Sequence, residues 1–282
     1  MAIKTEVVDR VPTYPGRVKM TPVSGQANVY DMVRADSPVE EGTPINKALF
    51  DQKADRLKEN VTVYVSTAGS DITGDGTSVA PYATIQKAIN SLPKWLDGNM
   101  ATISIADGTY EERVEIDGFQ GGIVELGSVG RNVTVRSVSV TASNLVRLNV
   151  NITHSSALGG TPLTIRFGSN VQFGDEYTID CASSNVSGIM VESGSTLSSL
   201  VDWFGEMLKL TVNNCKNFAI YATAGSKVAL GEIAGSNNDT GLYAADGATI
   251  TYRTRSMTAT TANVTVAGGR IYSGAQTSIP NY

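Results

Sequence analysis

The sequence predicts an all-β chain, a single-stranded right-handed parallel β-helix preceded by an extended N-terminal segment and a short capping helix. Three observations carry the prediction. Glycine is abundant at 28 of 282 residues, and charged residues make up only 17%, a balance that favours strands and tight turns over salt-bridged helices. Beyond residue 120 short alternating strands follow one another, among them Val133-Thr134-Val135, Val138-Ser139-Val140, Leu148-Asn149-Val150 and Leu163-Thr164-Ile165. Finally, three segments resemble each other: Gly188 to Ser195, Ala219 to Ser226 and Gly241 to Ala248. Their glycines Gly194, Gly225 and Gly247 are spaced by 31 and 22 residues, each segment following an asparagine-containing turn. One coil cannot bury its inward residues alone, so a repeat of this length points to stacked coils sharing a continuous core.

The elements follow in order. Five of the nine prolines (Pro12, Pro15, Pro22, Pro38 and Pro44) lie in the first 44 residues, so residues 1–43 read as extended and irregular. Thr43-Pro44 reads as an N-cap with proline at the first helical position, opening a short helix over Ile45 to Leu57. Val61-Thr62-Val63-Tyr64-Val65 is a strand, followed by a polar loop from Gly69 to Thr77. Ile85, Ala88, Ile89 and Leu92 fall at i, i+3, i+4 and i+7, an amphipathic helix over 84–92 that stops near Pro93 and covers the open end of the stack. Ile103-Ser104-Ile105 and Tyr110 to Ile116 are strands around the Asp107-Gly108 turn. The expected division is residues 1–60 as an attachment segment, 61–252 as the β-helix and 253–282 as a C-terminal β tail or cap.

Composition also excludes functions. There are 27 acidic and 22 basic residues, a net charge of −5, which argues against nucleic-acid binding because no basic stripe is present to neutralise phosphates. His154 is the one histidine, so multi-histidine metal sites are out. Cys181 and Cys215 lack C-x-x-C spacing and read as two buried thiols. No run of about 18 apolar residues occurs, and the N-terminus lacks a signal-peptide core, so neither membrane insertion nor conventional export is expected.

Two resemblances enter here. Val63 to Thr67, Gly69-Ser70-Asp71, Asp75-Gly76-Thr77, Pro81 to Ile89 and Ile105 to Glu112 resemble the start of pectate-lyase-like and pectin-esterase-like β-helices. Val11 to Val18 and Gly42 to Leu49, with Gly268 to Gly274 more loosely, resemble tail-fibre or receptor-binding proteins of phages and prophages of Gram-positive bacteria. Together they cover about half the chain. The resemblance implies a virion tail protein: a homotrimer docked on tail or baseplate proteins through its N-terminal segment, its β-helix facing the host. The esterase activity does not carry over, because Phe173-Gly174-Asp175-Glu176 is the nearest approach to the esterase strand and has the wrong order.

For chemistry, a Ser-His-Asp triad would need His154, but no Gly-x-Ser-x-Gly elbow exists, so an exposed or corner histidine is expected. Glycoside hydrolysis needs two carboxyl groups about 5–9.5 Å apart. Asp175, Glu176, Glu192, Asp202, Glu206, Asp239 and Asp246 are candidates, although an acidic β-rich surface produces close pairs by chance. The loop Asp71 to Gly76 opens like a calcium loop, but its twelfth position is Tyr82 where an EF-hand requires glutamate. Asx turns explain it without a cofactor. The longer repeat holds surplus residues around Asp202, Trp203, Phe204 and Glu206, an aromatic pair between carboxylates suited to stack on a sugar and bind its hydroxyls. Tyr221 and Tyr243 occupy equivalent positions and are expected to stack as a scaffold ladder. The leading expectation is a non-catalytic receptor-binding protein recognising a host-surface glycan through those four residues. The alternatives are a glycan depolymerase on the same scaffold and a structural tail connector.

Overall fold

In the computed structural model the described residues are 11–12, 18–25, 28–34, 38–40, 56–128, 132–155, 160–174, 176–199 and 208–274. The chain divides into two compact units, Met1–Asp55 and Arg56–Tyr282.

In the first unit β1 (Val11–Pro12) pairs antiparallel with β4 (Pro38–Glu40), and β2 (Val18–Pro22) pairs antiparallel with β3 (Tyr30–Arg34). The expectation of an irregular segment is thus corrected, because proline is compatible with short edge strands and strand ends. The β2–β3 register places Met20 opposite Met32 and Pro22 opposite Tyr30. Alternation then puts Val18, Met20, Tyr30 and Met32 on one face, all exposed. The helix expected over Ile45 to Leu57 falls almost wholly outside the described residues.

The second unit is a parallel β-helix with three faces. The first face stacks β5 (Val61–Val65), β6 (Met100–Ile105), β8 (Ile123–Ser128), β10 (Val146–Asn149), β13 (Asn170–Phe173), β16 (Thr196–Ser199), and the first parts of β19 (Lys227–Ala234) and β21 (Thr249–Arg255), then β23 (Arg270–Ser273). The second takes the starts of β7 (Gly108–Asp117) and β9 (Val133–Thr141), then β11 (Asn151–Thr153), β14 (Tyr177–Asp180), β17 (Lys209–Asn213) and the end of β19. The third takes the ends of β7 and β9, then β12 (Leu163–Arg166), β15 (Ile189–Val191), β18 (Phe218–Ala222), β20 (Asn238–Ala244) and β22 (Ala259–Thr265). The parallel ladder therefore runs past residue 252 as far as Ser273.

Inward residues of successive coils meet in register. On the first face the column is Ala101, Val124, Val146, Val171, Leu197, Val228 and Ile250, all at most 1% exposed. On the third it is Val114, Val138, Leu163, Ile189, Ile220 and Leu242. A one-residue slip in any strand would turn such a column into water, so the alternation itself specifies register.

The repeated glycines form one corner. Gly194, Gly225 and Gly247 have φ of +71°, +72° and +76°, each after a residue that is also left-handed: Ser193, Ala224 and Asp246. The Gly194 N–H donates to Ala224 O, Gly225 to Asp246 O and Gly247 to Ala267 O. Two consecutive left-handed residues turn the chain sharply from the third face onto the first, and glycine takes that conformation without steric cost. The following Ser195, Ser226 and Ala248 are fully buried.

Helix α1 (Ile85–Asn90) realises the predicted amphipathic segment and buries Ile85, Ala88 and Ile89. It packs on β5, β6 and β7, covering inward residues of the first coils that no further coil covers. Thr84 caps it, its Oγ accepting from Lys87 N at 3.2 Å.

Cys181 and Cys215 form a disulfide, with Cα atoms 5.0 Å apart, which corrects the expectation of free thiols. Cys181 follows β14 and Cys215 follows β17, neighbouring strands that pair Asp180 with Asn213. The 34-residue separation spans one coil, so stacking brings together two cysteines that look remote along the chain. Gly188 makes room for them, since a Cβ there would lie 2.9 Å from Cys215 Sγ.

Candidate functional site

The outward faces of a β-helix have the same registered columns as its core, so a surface site is built by residues one coil apart. On the third face, outward positions of β9, β12, β15, β18, β20 and β22 align as Ser139, Thr164, Met190, Tyr221, Tyr243 and Val264. The column changes from hydroxyl side chains to large apolar and aromatic ones midway along the rod. The Tyr221 and Tyr243 rings stack at 5.1 Å with 15° between planes. Phe218, on the same strand as Tyr221, lies 5.4 Å from Tyr221 and 4.5 Å from Tyr243. The tyrosine ladder read from the repeats is therefore present, and it faces outward with its members half-buried. Stacked rings cover each other's faces and leave edges and phenolic hydroxyls toward solvent.

Polar groups flank this stripe. At the neighbouring corner the Arg166 guanidinium pairs with Glu192, and Thr223 Oγ1 donates to Asp246 Oδ2 at 2.8 Å. Lys216 reaches Asp239 at 3.6 Å. Away from the stripe, on the second face, Glu176 pairs with Lys209 at 3.8 Å. Each of these carboxylates thus faces a cation or hydroxyl.

Phe167, 64% exposed, has φ of 55° beside Gly168. That is an unfavourable backbone for a bulky residue. It sits in the same corner as the repeated glycines.

Asp202, Trp203, Phe204 and Glu206, together with Asp175, lie outside the described residues. The surplus of the longer repeat does enter the chain between β16 and β17, since Ser199 and Lys209 bracket it.

His154 is 5% exposed, just after β11, with its N–H donating to Asp180 O at 2.8 Å. It is a corner histidine as expected, but buried, because the corner is covered by the next coil. Burial holds its pKa below the ordinary imidazole value.

The polar loop is also explained by its bonds. Asp71 accepts from Ala83 N at 2.8 Å, Thr84 N at 3.0 Å and Thr84 Oγ1 at 2.7 Å. Partial burial alone would raise the Asp71 pKa, but those hydrogen bonds and nearby Lys87 together hold it below the ordinary carboxylate value. Asp75 accepts from Thr77 N at 3.0 Å in an Asx turn. Glu112 accepts from Ile85 N and Gln86 N at 2.8 and 3.0 Å. Its burial nonetheless pushes it above the ordinary glutamate value. Among the described residues, no three His, Cys, Asp or Glu side chains cluster as metal ligands, and no helix is long and apolar enough to cross a membrane.

Sequence reasoning missed two aromatic residues with exposed surroundings. Phe218 begins the strand of Tyr221 but stands three residues before it, so strict alternation groups it with the buried Ile220 and gave no outward signal. Trp95 lies between the buried Leu92 and Leu96, and is 51% exposed. The signal for it was a tryptophan one residue out of phase with the apolar positions around it.

No family model, curated protein or solved structure matches the chain.

Proposed function

We propose that this protein is a phage tail-fibre or receptor-binding protein that recognises a host-surface glycan without cleaving it. The observation carrying this reading is the outward stripe of Met190, Phe218, Tyr221 and Tyr243, held across consecutive coils. A rigid apolar strip with phenolic edges offers C–H contacts and hydrogen bonds together, which suits a ligand with both apolar faces and hydroxyl rims. Strands position it, so little conformational entropy is lost on binding.

The exposed apolar face of the β2–β3 hairpin supplies a docking surface toward tail or baseplate proteins. A homotrimer on the virion tail would present three stripes to one cell. Of the candidate carboxylates, Glu176, Glu192, Asp239 and Asp246 each have a cation or hydroxyl partner, and Asp175, Asp202 and Glu206 lie outside the described residues.

The test is co-sedimentation of the purified protein with intact cell walls of candidate hosts, with soluble sugar measured in the supernatant. Saturable binding without polysaccharide release, weakened in a Tyr221→Ser/Tyr243→Ser double variant that keeps its unfolding midpoint, is the expected result. Release of reducing ends would move the assignment to a depolymerase. No binding to any wall would leave a structural connector.

A further inference from the structure

A second aromatic surface lies at the other end of the rod, on the outer side of its first coils. Trp95 sits in a short parallel ladder between Arg56 and Gln120, with Leu57 N donating to Trp95 O at 2.8 Å and Leu96 N donating to Gln120 O at 2.8 Å. Leu96 is fully buried, so the alternation of extended backbone turns Trp95 outward.

The indole lies flat on a glycine. A Cβ built on Gly121 would meet Trp95 Cε2 and Cζ2 at the same distance, 3.3 Å, and the next atom it would meet is Asp97 N at 3.6 Å. Cε2 is a ring-junction atom. An edge-on approach would meet Nε1 or Cη2 before it, so Gly121 faces the plane of the ring. Gly121 has φ of +73°, and any side chain there would push the indole away. With one face on that backbone and 51% of the residue in water, the opposite face of the ring is open.

The rim of that open face is polar and carries both signs. Arg56 Nη1 stands 3.4 Å from Asp97 Oδ2, both side chains nearly half exposed. Asp97 and Gly98 form a left-handed pair, and nothing lies within 4 Å of a Cβ on Gly98. Gly98 N donates to Gly121 O at 2.5 Å, which fixes this turn beneath the ring. A single flat aromatic face bordered by a donor and an acceptor matches a saturated six-membered ring with hydroxyls at its edge. An apolar protein side chain would leave Arg56 and Asp97 desolvated without return.

We infer that Trp95, with Arg56 and Asp97 at its rim, is a stacking subsite for a neutral pyranose unit of a polysaccharide. The sugar's C–H face lies on the indole, and its hydroxyls donate to Asp97 and accept from Arg56. This rests on the glycan-recognition reading but names a different surface, on the first coils, whereas the tyrosine stripe spans later ones.

The test uses the full-length chain with Trp203→Phe, so that Trp95 is the one tryptophan fluorophore. Iodide should quench it strongly. A panel of soluble gluco-, galacto-, manno- and chito-oligosaccharides should contain at least one class that shifts its emission saturably and protects it from iodide. Measured by calorimetry, which needs no tryptophan, Trp95→Ala should weaken that binding about tenfold or more at an unchanged unfolding midpoint, and Trp95→Phe should restore part of it. Three results overturn the subsite: iodide that fails to reach Trp95, emission that tracks protein concentration because a second copy covers the ring, or a panel in which no sugar protects. Wall binding, measured with Trp203 in place, separates the two claims. Walls that bind Trp95→Ala as well as the parent overturn the subsite and leave the receptor reading intact. Protection by an oligosaccharide with no wall binding does the opposite.

Discussion

The two ends of the β-helix finish in opposite ways. At the start, α1 lays Ile85, Ala88 and Ile89 over the first coils, all fully buried. At the end, the inward columns of two faces turn polar, while on the first face Ile250 is followed by the half-buried Ile271. The apolar column through Ile189, Ile220 and Leu242 gives out at the next coil, which offers Asn263, and Ala244 is followed there by Thr265. Ile233 is followed in register by Arg255, which donates to Asn263 Oδ1 at 2.5 Å and Ala262 O at 3.1 Å. One end hides an apolar core under a helix, and the other dilutes the core until water is acceptable at its edge. Both devices remove the exposed apolar strand edge that invites aggregation, but they place stability differently. A covered end loses much when one buried residue goes, whereas a polar end loses little.

The largest expected effect tests that contrast directly. Ile89→Ala should cost about 2–5 kcal/mol of unfolding free energy, because a fully buried side chain leaves a cavity under the cap. Asn263→Ala, at an exposed position, should cost less than about 1 kcal/mol. Urea titrations of the two variants give the comparison, and equal losses would refute it.

The disulfide sharpens the picture between the ends. Cys181–Cys215 ties β14 to β17, so its removal should loosen the coils around it and spare the helix-covered end. Reduction, or Cys181→Ser with Cys215→Ser, should cost about 2–4 kcal/mol. Hydrogen exchange should then quicken around β14 and β17 before it does in β6 and β7.

Acid should act on the helix-covered end in two opposed steps. Glu112, raised by burial, is favoured when protonated, so its contribution grows as pH falls through its raised value toward the unfolded value of 4.5. Asp71, held low, contributes above its unfolded value of 3.8, and that contribution disappears as pH falls through its lower folded value. Stability against pH should therefore pass through a shallow maximum in the acid range. Asp71→Asn should flatten the low-pH limb, and Glu112→Gln the limb above it. Thr84→Ala, which removes the cap and one bond to Asp71, should cost about 1 kcal/mol at neutral pH.

The smallest effect belongs to the corner shared by both halves. Phe167→Gly at φ of 55° should raise stability by up to about 1 kcal/mol, by removing left-handed strain at an exposed side chain. A loss there would mean that the phenyl ring makes contacts worth more than the strain.

Several of these features could be read along the chain. The helix was legible because Ile85, Ala88 and Ile89 recur within one turn. The corner was legible because Gly194, Gly225 and Gly247 repeat inside similar segments, and the same similarity placed Tyr221 beside Tyr243. The disulfide was not, since nothing local marks Cys181 and Cys215 as neighbours until a coil of a particular length is closed. The expected site around Trp203 falls outside the described residues. The two aromatic surfaces that the structure offers, around Tyr221 and around Trp95, gain their meaning from partners one coil away.

By itself, then, the sequence determined the type of element and which side of each strand faces the core, because burial of alternate residues is a local property of extended backbone. It also determined where the chain must turn, because positive φ at a corner selects glycine locally. Only the tertiary structure decided what stands beside what. Contacts such as Tyr221 on Tyr243, Cys181 on Cys215 and Trp95 on Gly121 depend on the accumulated length of a coil and its register against the next. Closing each coil costs chain entropy that no single segment encodes, and the stacked core compensates for it collectively.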